Sequence, residues 1–159
     1  MLKTEKKSEA PLPLDDIDRK ILALLQKNAR ISFRDIADAV GISVGTVHNR
    51  IKKLERLGII RGYTTLLDPY KLGFELTALI LMQVDGAHIV EVEREIAKHR
   101  EVCGVYDITG DFDILVIARF RTREELNNFI KSILKLPHIK RTVTSIALNI
   151  VKENFKLRI

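Results

Sequence analysis

The spacing of apolar residues changes in kind at Asp68-Pro69. Before this dipeptide, apolar residues recur at the three- and four-residue intervals of helices, whereas after it Ala78 to Met82 and Ile114 to Ala118 are continuous apolar segments of strand length. Proline lacks a backbone donor and fixes its own φ angle, so it separates elements of structure. We therefore expect two domains with a linker between them and a short segment at each end. In chain order, the five parts are a flexible arm (1–13), a helical domain (14–67), a linker (68–74), a strand-rich domain (75–153) and a C-terminal tail (154–159).

The helical domain has the pattern of three helices. Each helix can be capped by a side-chain oxygen that accepts from the free amides of its first turn. The candidate caps are Asp15 or Asp16, Ser32 and Ser43. Gly41 permits the tight turn between the second and third helices, Gly58 ends the third, and residues 59–67 are expected to form a short β-ribbon. Three helices followed by a ribbon describe a winged helix-turn-helix.

The third predicted helix separates apolar from polar residues. Val47, Ile51 and Leu54 form one inward stripe, so small polar residues near the helix start and basic residues further along it turn outward. A helix that binds DNA offers small polar groups to base edges and cations to phosphates. The alternative is that the exposed face of a helix is simply charged. We predict a surface for double-stranded DNA that contains Arg34, Ser43, Thr46, His48, Asn49, Arg50, Lys53, Arg56 and Arg61.

The distribution of charge follows the same division of the chain. Residues 1–67 hold 13 Lys and Arg against 8 Asp and Glu, whereas residues 68–159 hold 14 against 13. A basic excess confined to the first part of a chain favours a polyanionic partner for that part only.

The strand-rich domain repeats its elements in the order β-α-β-β-α-β. The expected strands are 76–84, 102–109, 114–120 and 141–151. Ile89 belongs to the first helix, and Thr122 can cap the second in a capping box with Glu125. This order is typical of the ferredoxin-like fold, so the whole chain is predicted to be an α+β protein.

Two of these strands contain segments, 78–82 and 114–118, that are apolar on both faces. The two helices of a ferredoxin-like unit cover only one face of its sheet, so the other apolar face needs a second cover. The same sheet from another copy is the simplest cover and predicts a homodimer. The alternative is that the helical domain folds back onto the sheet.

A turn with two acidic residues separates the two middle strands. Gly110 and Asp111 are ordinary turn residues, and a plain hairpin explains them. A hairpin does not explain why Asp111 and Asp113 flank an aromatic ring beside an apolar strand. One of these carboxylates can accept from the ammonium of an amino acid while turn amides bind its carboxylate. Two interpretations therefore stay open, a hairpin and an effector site at Gly110, Asp111 and Asp113.

Several motifs resemble those of the Lrp/AsnC, or feast/famine, family of regulators over residues 14–153. These motifs are Leu14-Asp15-x-x-Asp18-x-x-Ile21-Leu22, Ile36-Ala37-x-x-Val40-Gly41-Ile42-Ser43, Val47-x-x-Arg50-Ile51-x-x-Leu54-Glu55-x-x-Gly58-Ile59-Ile60, Gly104-Val105-Tyr106 and Thr109-Gly110-Asp111-Phe112-Asp113. The resemblance implies a DNA-binding transcription regulator whose dimers form through the C-terminal sheet and join into an octamer. It also implies a free amino acid as effector, although some members of the family respond to none. In similar proteins the acidic turn and threonines on the last strand line the effector pocket, and Thr142 and Thr144 occupy the matching positions.

Other function classes have weaker support in the sequence. A few similar proteins decarboxylate sirohaem-type tetrapyrroles, which makes catalysis one alternative. His88, His99 and His138 lie on different predicted elements with no sign of convergence, so we expect no enzyme activity, no metal and no cofactor. An architectural DNA-binding protein and a stand-alone amino-acid sensor are further alternatives, because they would use the same surfaces.

Localisation and cysteine chemistry give two more expectations. The sequence has no apolar run near the ~18 residues that span a bilayer, and its first residues have no apolar core of a secretory signal, so we expect a cytoplasmic protein. Cys103 is the single cysteine, and its place in a strand favours a small buried apolar residue over a nucleophile.

Overall fold

The computed structural model describes residues 14–159, which divide into two compact units. Residues 14–66 form one unit together with 154–159, and residues 67–153 form the other. The arm expected at 1–13 lies outside the described residues. No helix within 14–159 combines the length and apolar character needed to cross a membrane.

The first unit is built from three α-helices. They are α1 (Asp16–Lys27), α2 (Phe33–Val40) and α3 (Val44–Arg56). The side chains of Asp15, Ser32 and Ser43 accept from backbone amides of the first turns, so the expected caps are confirmed. Gly41 ends α2 with a φ of 74°, in the left-handed region that favours glycine. The helices meet around a small core of Ile21, Ile36, Ala37, Val47 and Ile51.

The prediction of a β-ribbon at 59–67 is wrong, because this segment forms no strand. The amides of Ile59 and Ile60 donate to the carbonyl of Leu54, at 3.0 and 3.2 Å, and so fold the start of the segment against the end of α3. Residues 61–67 are all exposed. A two-stranded ribbon with no apolar face to bury is marginally stable at best, which explains the irregular backbone.

The tail residues 154–159 belong to the first unit. The Gln26 side chain exchanges two hydrogen bonds with the backbone of Leu157, donating to its carbonyl at 3.0 Å and accepting from its amide at 2.7 Å. This exchange fixes the end of the chain against α1.

The second unit contains a four-stranded antiparallel sheet with two α-helices. Its elements are β1 (Leu76–Val84), α4 (Ile89–Ile96), β2 (Val102–Asp107), β3 (Ile114–Phe120), α5 (Arg123–Ile133) and β4 (Ile139–Ile146). The strand order β2-β3-β1-β4 is that of the ferredoxin-like fold, which confirms the predicted α+β class. Thr122 caps α5, and the Glu125 carboxylate accepts from the Arg121 amide.

Strand pairing sets the bounds of β2 and β4, which differ from the predicted ones. β2 ends at Asp107, because its partner Ile114 is the first residue of β3. A register shift between Gln83 and Val84 lets β4 begin at Ile139. Beyond Ile146, the amide of Ala147 still donates to Thr77, but β1 begins at Leu76 and offers β4 little more to pair with. The strand therefore ends before Val151, where the prediction placed its end.

Cys103 lies in an irregularity of β2 and is exposed, so the expectation of a buried cysteine is wrong. The register of β2 on β3 shifts between Val102 and Gly104, which leaves Cys103 without a paired residue on β3. A bulged residue of this kind can turn outward from the sheet.

The two faces of the sheet differ in cover. The helix-covered face contains the fully buried core, including Ile80, Met82, Val116 and Phe120, each with 0% exposure. The opposite face carries the remaining apolar residues of the middle strands, Leu79, Leu81, Leu115 and Ile117, which are only partly buried. Two apolar faces are therefore present, as the sequence indicates.

Candidate DNA-binding surface and effector cavity

The outer side of α3 is a polar and basic surface. Val47, Ile51 and Leu54 are buried and hold the helix against its unit. Eight of the nine predicted DNA-binding residues are exposed: Arg34, Ser43, Thr46, His48, Asn49, Lys53, Arg56 and Arg61. We call the exposed residues of this set on α3 (Thr46, His48, Asn49, Lys53 and Arg56) the α3 surface.

The start of α3 is held in one conformation by its cap. The Ser43 hydroxyl accepts from the Thr46 amide at 3.2 Å and shares a hydrogen bond with the Thr46 hydroxyl at 2.8 Å. Within residues 14–159 the side-chain carboxamide of Asn49 has no hydrogen-bond partner. The centre of the His48 ring lies 5.9 Å from the centre of the Phe33 ring. The α3 surface thus has a fixed first turn with a free carboxamide one turn further along.

Arg50 departs from the prediction, because it does not face outward with its neighbours. Its Nη1 donates to Asp15 at 2.6 Å and to Asp18 at 2.8 Å, and Asp18 is only 1% exposed. A buried carboxylate needs a partner cation, and Arg50 supplies one from α3 to α1. The expected outward orientation of Arg50 is therefore wrong.

The ion pairs around Arg50 also shift pKa values. The Asp18 amide and the Arg50 guanidinium both donate to Asp15 and lower the pKa of its carboxyl below the ordinary value. The same hydrogen bonds to Asp15 and Asp18 raise the pKa of Arg50. The sequence contained a signal for this pair, since Asp18 lies among Leu14, Ile21 and Leu25 on the inward face of α1.

The acidic turn lies at the edge of an open cavity of about 510 Å³ in the second unit. The lining residues are Gln83 at the end of β1, the loop Gly110, Asp111, Phe112 and Asp113, and Arg141 on β4. The cavity brings the predicted residues Gly110, Asp111 and Asp113 together with a cation and an aromatic ring. We call it the effector cavity.

The two carboxylates of the loop have different surroundings. Asp113 accepts from the Val84 amide at 2.7 Å, and its own amide donates to the Met82 carbonyl at 2.9 Å, so this residue ties the loop to β1. Asp111 is exposed and has no hydrogen-bond partner within residues 14–159. Asp111 is therefore the carboxylate that is available to a ligand.

Arg141 and Gln83 were missing from the predicted site. They are direct partners across the β1–β4 pairing, and the Arg141 guanidinium lies 5.9 Å from the centre of the Phe112 ring. The signal in the sequence was weak, since only the strand register shows that a residue of β4 meets the loop before β3.

Thr142 and Thr144 are not among the residues that line the effector cavity. They share a face, as predicted, but they pair with Met82 and Ile80, whose side chains belong to the helix-covered core. Alternation along a strand places Thr142 on the opposite face from Arg141. Within one chain the structure therefore separates the threonines from the acidic loop.

His88 and His138 converge, contrary to the expectation that the histidines stay apart. Their rings stack at 3.5 Å between centres, while His99 packs separately against Phe129. The sequence could not show this contact, because one histidine follows β1 and the other precedes β4.

Two family models cover most of the chain. One, for winged helix-turn-helix DNA-binding domains, matches residues 14–61, and the other, for the Lrp/AsnC ligand binding domain, matches residues 77–157. An uncharacterized HTH-type transcriptional regulator of Pyrococcus furiosus is 51% identical over 146 residues, which are 92% of this chain and 99% of that protein. The chain belongs to the Lrp/AsnC family.

Other Lrp/AsnC-type proteins align over nearly the same length. The HTH-type transcriptional regulator FL11 of Pyrococcus horikoshii is 39% identical over 93% of this chain and 98% of its own. The structure of E. coli AsnC superposes with a TM-score of 0.79 at 28% identity, covering 93% and 98% of the two chains. A transcriptional regulator of Neisseria meningitidis in complex with L-Met superposes with a TM-score of 0.83 at 28% identity, covering 92% and 97%.

The two family models divide the candidate sites between them. The DNA-binding model spans all nine residues predicted to contact DNA, and the ligand-binding model spans the effector cavity. The protein is therefore a transcriptional regulator of the Lrp/AsnC type that carries a ligand-binding domain.

Proposed function

We propose that this Lrp/AsnC regulator binds specific sequences of double-stranded DNA through the α3 surface and that a free amino acid in the effector cavity modulates the binding. The observation that carries the proposal is the ordered change along α3 from small polar to basic exposed residues. In that order, a helix inserted by its first turns meets bases before phosphates.

The residues of the α3 surface divide by what they can contact. Thr46 lies in the first turn of α3 and Asn49 in the second, and a carboxamide can bind adenine in a bidentate manner. Lys53 and Arg56 lie in its last turn, where cations neutralise phosphates without reading sequence. Ser43 in the cap, His48, and the exposed Arg34 and Arg61 outside α3 complete the proposed contacts. Arg50 would contribute indirectly, by holding α3 on α1.

We propose a homodimer as the DNA-binding unit. The partly buried Leu79, Leu81, Leu115 and Ile117 form an apolar face, which a second copy of the same sheet would cover. Two α3 helices related by a two-fold axis then fit a pseudo-palindrome with half-sites about one helical turn apart or a multiple of it. The octamer rests on the resemblance to the family alone.

The effector cavity has the charges that a zwitterion requires. Asp111 offers an acceptor for an ammonium group, and Arg141 offers donors for a carboxylate. The Neisseria meningitidis protein with L-Met supports the same chemistry, since its structure is that of an amino-acid complex. Contact of Thr142 and Thr144 with the effector stays a prediction, which applies to the oligomer and not to a single chain.

A footprint on the DNA upstream of the protein's own gene, with a scrambled fragment as control, tests this function. At physiological salt we expect protection of the native fragment alone, repeated at intervals of a helical turn, and a change when single amino acids are added. Equal protection of both fragments would favour the architectural alternative. Absence of binding to either fragment would contradict the DNA-binding proposal.

A further inference from the structure

Three metal-ligating side chains meet at one end of the sheet, outside the effector cavity. Asp85 follows β1, His88 lies just before α4, and His138 precedes β4. One candidate ligand atom from each of these residues lies within 4.8 Å of the other two. We call these residues the Asp85–His88–His138 cluster.

The cluster is held together by the backbone as well as by side chains. The Asp85 amide donates to the carbonyl of His138 at 2.9 Å, and the neighbouring Val84 pairs with Ile139. The convergence therefore follows from the β1–β4 pairing and does not depend on the stacked rings alone.

A second carboxylate fixes the orientation of one histidine. The Nδ1 of His88 donates to the Glu91 carboxylate at 3.2 Å. This contact favours the tautomer in which Nε2 keeps its lone pair, as in the carboxylate–histidine–metal arrangements of protein metal sites. The His88 side chain is 37% exposed, so an ion can reach it from solvent.

His138 adopts an unusual backbone conformation. Its φ of 74° makes it the one non-glycine residue within 14–159 that has a positive φ. Such a conformation is uncommon for a non-glycine residue, although histidine adopts it more often than most, and it is concentrated at functional sites. In this conformation the His138 ring stacks on the ring of His88, with 3.5 Å between the ring centres.

The donor set selects the chemical class of the ion. Two imidazoles with one carboxylate suit Zn²⁺ and its neighbours among the first-row divalent metals, whereas Mg²⁺ and Ca²⁺ prefer oxygen ligands. Ligand atoms about 2.0–2.1 Å from a tetrahedral Zn²⁺ lie roughly 3.4 Å apart. The ligand atoms, which now lie within 4.8 Å of one another, must therefore approach by up to about 1.4 Å. The parallel rings must also turn so that one nitrogen of each points at the ion.

We propose that Asp85, His88 and His138 form a binding site for one Zn²⁺-class ion, with Glu91 as a positioning residue and water as the fourth ligand. The ion joins the end of β1 to the start of β4, and it stabilises the folded chain because the unfolded chain has no preformed site.

Calorimetric titration of the metal-free full-length chain with ZnCl₂ tests the site. We expect one Zn²⁺ per chain and a rise in the thermal midpoint that MgCl₂ does not produce. His88→Gln and His138→Asn should each weaken Zn²⁺ binding by at least about tenfold, because each removes an imidazole ligand. Asparagine is used at His138 because it also tolerates a positive φ. Glu91→Gln should weaken it by less than either. The matched control is His99→Gln, which removes a histidine outside the cluster and should bind like the wild type.

Substitution with Co²⁺ gives a second readout, which reports the ligands themselves when the metal-free variants have the circular dichroism spectrum of the wild type. The visible absorption of bound Co²⁺ should report nitrogen and oxygen ligands in the wild type and should be lost in Asp85→Asn as well as in His88→Gln. Equal Zn²⁺ affinity in His88→Gln, His138→Asn and His99→Gln would overturn the proposal. So would a wild-type stoichiometry well below one ion per chain.

Discussion

The α3 surface and the effector cavity are built in opposite ways. The α3 surface lies on one helix of 13 residues, whereas the effector cavity collects Gln83, the loop 110–113 and Arg141 from three separate segments. The spacing of residues on one helix converts directly into which face they share. A cavity across a sheet depends on register, which is set only when the strands pair. The single-element site was therefore predictable in more detail.

The largest expected effect concerns Arg50, which breaks the simple pattern of α3. Arg50→Met keeps the aliphatic stem but leaves Asp18 as a buried, unpaired carboxylate. We expect a loss of about 3 kcal/mol in the free energy of unfolding, at the low end for a broken buried pair, because the Arg50 side chain remains a quarter exposed. Urea unfolding at neutral pH measures this change.

Lys53→Met is the matched control for Arg50→Met. Lys53 is an exposed cation on the same helix, and its loss should change the free energy of unfolding by no more than about 0.5 kcal/mol. Similar losses in the two variants would contradict the structural role of Arg50.

Much of the fold could be predicted because local chemistry decides it. Ser32, Ser43 and Thr122 cap helices wherever the helices pack, and the bounds of β1 and β3 follow their apolar runs. The end of β4 could not be predicted, because the length of its partner β1 determines it. The ribbon at 59–67 was wrong, since strand-like composition does not supply a partner to pair with.

The candidate sites show the same limit. Asn49 and Lys53 were placed by helical spacing, whereas Arg50 was misplaced because the buried Asp18 lies 32 residues away in sequence. Arg141 and the contact of His88 with His138 required the β1–β4 register. Each failure concerns a pair that is distant in sequence and brought together by tertiary structure.

The next effect separates two residues of the α3 surface by the kind of contact they make. Asn49→Ala should cost ~1–3 kcal/mol at one base pair of each half-site and relax the preference there, because a bidentate contact to a base edge is lost. Lys53→Ala should weaken binding to all DNA similarly and should reduce the slope of log affinity against log salt by about 0.9 for each subunit, which is about 1.8 for the proposed homodimer. Binding assays on single-base variants of the footprinted site, at several salt concentrations, measure both. Unchanged affinity and base preference in Asn49→Ala would mean that α3 is oriented differently on DNA.

A smaller effect distinguishes the two carboxylates of the effector cavity. Asp111→Asn should weaken amino-acid binding by roughly 1.5 kcal/mol, the lower range for a hydrogen bond to a charged group, and should leave stability unchanged. Asp113→Asn should instead lower the stability of the chain, because the Val84 amide loses a charged acceptor. Calorimetric titration with amino acids, together with urea unfolding, measures the two effects. An effector affinity in Asp111→Asn equal to that of the wild type would remove this carboxylate from the site.

The smallest effect uses pH to test the contact between α1 and α3. The pKa of Asp15 lies below its ordinary value of 3.8 because the Asp18 amide and the Arg50 guanidinium donate to its carboxylate. A lowered folded-state pKa gives stability that is fully present above the unfolded pKa and is lost as the pH falls through the folded value. Asp15→Asn should therefore be slightly less stable than the wild type at neutral pH, and the difference should shrink below about pH 4.

Urea midpoints of wild type and Asp15→Asn at several pH values measure that difference. Asp16→Asn is the control, since it removes one negative charge from the first turn of α1 without touching the Arg50 contact. If the stability difference for Asp15→Asn stayed constant from neutral to acidic pH, the carboxylate would not be held by Arg50 and the Asp18 amide in solution. A difference that closes on acidification for Asp15→Asn, and not for Asp16→Asn, would tie it to the ion pairs that set Arg50 apart from the rest of α3.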